Sequence, residues 1–119
     1  MHYAILCYSC EDIVGSMTQG EDRAVMARIE VIERRLAGEG RLGPTARLLP
    51  TTTATTVRKN RKNLVLDGPY AETKEQLLGF YIVDCRDLDQ AIETARELAA
   101  ANPGRGAYEI RPLDMLTIP

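Results

Sequence analysis

Apolar side chains fill both alternating sets in the segment from His2 to Tyr8: Tyr3, Ile5 and Cys7 on one, Ala4, Leu6 and Tyr8 on the other. A strand with two apolar faces belongs inside a sheet, so the pattern predicts a central strand over residues 2 to 8. The period then changes. Thr18 followed by Glu21 matches a capping box, in which each side chain satisfies a free backbone N–H of the first helical turn. Val25, Ile29, Ile32 and Leu36 recur at helical spacing behind it, predicting a helix from about Gln19 to Ala37. Gly38 and Gly40 are expected to end that helix with a left-handed cap, and Arg34 and Arg35 suit the negative end of its dipole.

From Gly43 to Leu66 the text is rich in Thr and short alternating runs, predicting a strand and then a hairpin, Ala54 to Arg58 with Leu64 to Leu66, turning at Lys59 to Asn63. Asp67-Gly68-Pro69 breaks this pattern. Alternation returns from Leu78 to Asp84, with Leu78, Phe80 and Ile82 expected on one face and Gly79, Tyr81 and Val83 on the other. Asp87 opens a second helix with Leu88, Ile92, Ala95 and Leu98 or Ala99 as its apolar stripe. Asn102-Pro103-Gly104 stops it, and Tyr108 to Pro112 is a last strand. The order β, α, β, hairpin, β, α, β is a ferredoxin-like α+β pattern, βαββαβ with an inserted β-hairpin, in one domain over residues 1–119. Two helices cover one face of such a sheet. Tyr3, Leu6, Tyr81 and Val83 suggest apolar side chains on both, so the open face is expected to meet a second copy, sheet to sheet.

Composition narrows the class further. With 119 residues the chain can bury a core without disulfides, and 45% apolar beside 27% charged residues is globular. The formal charge of −2 gives no general positive field, so nucleic acid is not an expected partner. Apolar runs fall short of the roughly 20 residues of a membrane span, and the N-terminus lacks the pattern of an export signal. Three cysteines, an odd number, read as reduced thiols, so the expected compartment is the cytoplasm.

Cys7-Tyr8-Ser9-Cys10 has CxxC spacing, which in redox proteins sets the first thiol at a helix N-terminus. The predicted helix begins only at Gln19, and Cys85 with His2 makes a poor second ligand pair, so neither redox chemistry, a metal nor another cofactor is expected. His2, the single histidine, is expected to be an exposed strand end. Arg58, Lys59, Arg61 and Lys62 lack interleaved aromatic residues for base stacking and read as a solvated turn. The concentrated chemistry is in Asp67, Tyr70, Glu72, Thr73, Lys74 and Glu75. Asp-Gly-Pro is turn-forming in its own right, yet loops between strands are also where sites lie.

Thr53 to Arg58 (TATTVR), Asp67 to Leu77 (DGPYAETKEQL) with Gly79-Phe80-Tyr81, Asp87-Leu88-Asp89 with Ala91, and Glu109 to Pro112 (EIRP) together resemble the YCII-related superfamily. Within it they resemble the DGPF group, named for the motif that reads Asp67-Gly68-Pro69-Tyr70 here. The resemblance spans nearly the whole chain. It implies a ferredoxin-like domain that dimerises through its sheet into a dimeric α+β barrel similar to muconolactone isomerase. Some relatives use a His and Asp pair between subunits, and at least one dehydrochlorinates an aromatic substrate. Here the helix start reads Thr18-Gln19-Gly20-Glu21-Asp22-Arg23, without an imidazole, so that chemistry is not implied. Genes of the DGPF group often neighbour sigma factors of the extracytoplasmic-function type.

The resulting expectation is a homodimer whose cleft binds a small polar or anionic organic molecule. Arg58, Lys74 and Arg111 would be its charge partners, Tyr70 a flat wall, and Asp67 and Glu72 further contacts. Acid/base chemistry would fall to Asp67, Glu72 or Glu109, each needing burial to raise its pKa. The alternative is a non-catalytic accessory or regulatory protein linked to sigma-factor-dependent transcription. A cleft of roughly a few hundred cubic ångströms lined by these side chains marks the first reading. A loop packed shut by Tyr70 and Leu77 marks the second.

Overall fold

β1 (His2–Ser9) lies inside a sheet, as its two apolar faces require. The computed structural model describes residues 1–119 apart from Asn60, Arg61 and Asn63. After β1 come a short helix α1 (Glu11–Gly15), a long helix α2 (Gln19–Gly38) and β2 (Leu42–Arg47). A 3-10 turn (Thr51–Thr53) leads to a hairpin of β3 (Thr55–Arg58) and β4 (Leu64–Asp67), followed by β5 (Gln76–Asp84), α3 (Leu88–Ala101) and β6 (Gly106–Pro112). The main sheet is antiparallel in the order β2-β5-β1-β6, the ferredoxin-like arrangement, with the β3-β4 hairpin inserted apart from it. The turn expected at Lys59 to Asn63 lies in part outside the described residues.

Helix ends follow local chemistry. Thr18 accepts from the Glu21 N–H and Glu21 accepts from the Thr18 N–H, both at 3.1 Å, completing the capping box of α2. Gly40 alone takes the left-handed conformation past α2, at φ 70°, while Gly38 is still helical. Asp87 accepts from the Gln90 N–H at 2.9 Å and starts α3. Leu88 is exposed; the buried stripe of α3 runs through Ala91, Thr94, Ala95, Leu98 and Ala101.

The core lies between the helices and one sheet face. Tyr3, Ile5, Cys7 and Val83 pack there against Val25, Ile29 and Leu36 of α2 and Leu98 of α3. Burying a side chain such as Leu36 or Leu98 contributes about 1.5–3 kcal/mol. Tyr3, Tyr81 and Val83 share this covered face, and Leu6, paired with Phe80, is on the other, beside Ala4 and Ile82, so apolar side chains stand on both faces. A bulge sets Cys7 opposite Gly79 but Tyr8 opposite Leu77, so Leu78 drops out of strict alternation with Phe80 and Ile82. β2 approaches so closely that a Cβ on Gly79 would lie 2.3 Å from the Ala46 carbonyl oxygen.

The hairpin has no such cover. Val57 faces Val65, Thr56 faces Leu66 and Arg58 faces Leu64, and all of Val57, Leu64, Val65 and Leu66 are exposed. The radius of gyration, 15.8 Å, exceeds the about 13.5 Å of a compact domain of this length.

Candidate functional site

The residues expected to form a site are spread over three places. The Arg58 guanidinium stands 5.2 Å from the ring centre of Tyr70, joining the hairpin to the loop that follows it. Asp67 closes β4 opposite Thr55 and is exposed, as are Glu72 and Lys74 in the loop. Arg111 lies on β6, donating to Glu109 at 3.4 Å. Glu72 contributes to a shallow cleft of about 350 Å³ shared with Thr51, Thr52, Pro69, Ala71 and Gln76, which Arg58, Tyr70, Lys74 and Arg111 do not line. Tyr70 is 76% exposed and does not close the loop.

A larger hollow, about 560 Å³, opens between α1, α2, the segment after β2 and the helix-covered face of the sheet. Its helix wall is apolar, from Met17, Val25, Met26 and Ile29, and Leu48 and Leu49 stand across from it. The sheet supplies polar groups: Thr45 and Arg47 from β2, Tyr81 from β5, Cys7 from β1 and Tyr108 from β6. Gly79 borders this floor without a side chain of its own. The size and the mixture of apolar walls with a few polar groups fit a small-molecule pocket. Asp67, Glu109, Arg58, Tyr70, Lys74 and Arg111 lie outside it.

Several of its polar groups are held in place. Arg47 donates to both carboxylate oxygens of Asp22, at 2.8 and 3.3 Å, bridging β2 to the first turn of α2. That guanidinium holds the Asp22 carboxyl below the usual carboxylate range. Glu11 accepts from the N–H and the hydroxyl of Thr51, both at 2.7 Å, and the Gln76 side chain accepts from the Glu11 N–H at 3.0 Å. This latch pins α1 to the segment that forms the far wall. Burial pushes the Cys7 thiol up to about 12, with the Tyr108 hydroxyl offsetting part of the effect. Burial also raises the Tyr81 and Tyr108 phenols, so both are neutral over the physiological range. Asn102 donates to the Tyr108 oxygen at 3.4 Å.

Cys10 caps α1 directly, so a helix does follow the CxxC segment, earlier than the periodicity predicts. Cys7 is buried in β1 with a raised thiol, the opposite of the accessible, lowered thiol of redox pairs. Among the described residues no cluster of His, Cys, Asp and Glu is arranged to hold a metal. No helix among them is long and apolar enough to cross a membrane.

The model of the YCII-related domain matches residues 1–115. The chain belongs to the YCII-related family. It is 50% identical over 114 residues to an uncharacterized protein of Rhizobium meliloti (strain 1021), covering 95% of this chain and 92% of that protein. The larger hollow of this YCII-related domain takes no residue from Asp67 to Leu77; of the segments that carry the resemblance, Gly79-Phe80-Tyr81 enters it. Asp22 and Arg47 are 25 positions apart, and sequence reading gave no reason to pair them. Glu33 left a usable signal: it is a carboxylate at helical spacing from Val25 and Ile29, on a face otherwise read as core.

Proposed function

We propose that this YCII-related protein binds a small organic molecule, with an apolar body and a polar head, in the hollow between α2 and the sheet. One observation supports this above the others: about 560 Å³ of space with an apolar helix wall faces a sheet floor bearing Arg47, Tyr81 and Tyr108. Occlusion tests it. Met26 lines the hollow and is 39% exposed, so Met26→Trp should fill the space without disturbing the fold. A thermal-shift screen of aromatic acids, alcohols and amines should then give hits on the parent chain that vanish in Met26→Trp and persist in Lys74→Ala. Hits abolished by Lys74→Ala and retained in Met26→Trp would move the site to the loop.

We propose further that the working unit is a homodimer, with the β3-β4 hairpin in its interface. A two-stranded hairpin is marginal alone in water, yet this one exposes Val57, Leu64, Val65 and Leu66. The chain's accessible area is 8520 Å², against about 6400 Å² for a compact monomer of this mass. The excess exceeds the roughly 800 Å² per partner of a standard interface.

A further inference from the structure

We infer that the hollow between α2 and the sheet selects a protonated amine on a small apolar body, held by the carboxylate of Glu33 with the ring and hydroxyl of Tyr81 beside it. This deepens the binding reading and rests on it. The ionised side chains that line the space are three carboxylates, Glu11, Asp22 and Glu33, against one guanidinium, Arg47. An anion entering it would meet a surplus of like charge in a partly dry space, where Coulomb terms are stronger than in water.

Two of the three carboxylates are already engaged. Glu11 accepts twice from Thr51, and Asp22 is gripped on both oxygens by Arg47. Glu33 differs: among the described residues it makes no hydrogen bond and no ion pair. It is half-buried on α2, four residues beyond Ile29 and eight beyond Val25, both buried. Its carboxylate is therefore free to accept charge-assisted hydrogen bonds from a cation that enters the space. Across from it on the sheet floor, the Tyr81 hydroxyl also has no hydrogen-bond partner among the described residues, and its ring is half-buried. A neutral phenol offers an ammonium both an oxygen acceptor and the negative face of a ring. Arg47 does not compete for Glu33, because Asp22 occupies it.

Three probes that share a phenyl body separate the possibilities: 2-phenylethylamine, 2-phenylethanol and 3-phenylpropionate, titrated by calorimetry into the full chain at neutral pH. The amine should bind about tenfold more tightly than the alcohol, and the propionate least. Raising salt from about 0.05 to about 0.5 M should weaken the amine and leave the alcohol unchanged. Glu33→Gln should bring the amine down to the level of the alcohol, whose unchanged affinity reports an intact fold. If the alcohol binds and the amine is no tighter, or is insensitive to salt, the charge assignment is overturned while the hollow remains a binding site. If none of the three binds, the binding reading fails and this inference falls with it.

Discussion

Thr18 illustrates how much a single side chain can reveal when its partners are local. Its reciprocal bonds with Glu21 were legible because the capping box spans one helical turn. Thr18→Ala should cost about 1 kcal/mol, seen as a fall of a few degrees in melting temperature. The Asp22–Arg47 pair was not legible, since its partners come from different elements and only the register of β2 on β5 brings them together. Its carboxyl is depressed in the fold, so its contribution is complete above the unfolded carboxylate range and is lost as pH falls through the folded value. Both side chains are substantially exposed, so a double-mutant cycle with Asp22→Asn and Arg47→Gln should give only about 0.2–1 kcal/mol of coupling, less at high salt. Cys7 runs the other way. Its raised thiol gives stability that is complete below the unfolded cysteine pKa and declines as pH rises toward about 12. Native-state alkylation read by mass spectrometry should therefore label Cys10 well before Cys7; equal labelling would contradict the burial of Cys7.

At the scale of elements, the strands and long helices were legible because each carries a period: α2 through Val25, Ile29 and Leu36, β1 through its two apolar faces. What escaped was what has no period. α1 is five residues long, too short to show an apolar stripe, and the β1-β5 bulge changes which residues face the core without changing their type. The glycine in that bulge is a sharp test. Gly79→Ala drives a Cβ into the Ala46 carbonyl, in backbone that cannot move without parting β2 from β5. We expect more than about 2 kcal/mol of destabilisation in denaturant melts, well above an ordinary surface substitution. A change under about 0.5 kcal/mol would show that the two strands are not so tightly apposed.

For the whole molecule, the exposed hairpin and the excess surface make a prediction about mass. Light scattering at micromolar protein should give about twice the 13.2 kDa of the chain, and Val57→Lys with Val65→Lys should return it to monomer. A concentration-independent monomer in the parent chain would end the dimer proposal. The general architecture was readable because element order constrains topology. The hollow was not, because its lining is drawn from α1, α2 and strands far apart in the chain, and only the sheet register shows that they converge. Where a small molecule settles is therefore the most direct question, and methyl-resolved NMR during titration with 2-phenylethanol answers it. Binding in the hollow should shift Val25, Met26, Ile29 and Leu48, which line its walls. Shifts confined to Leu64, Leu66 and Ala71, with the methyl groups of those four residues unmoved, would contradict binding in the hollow.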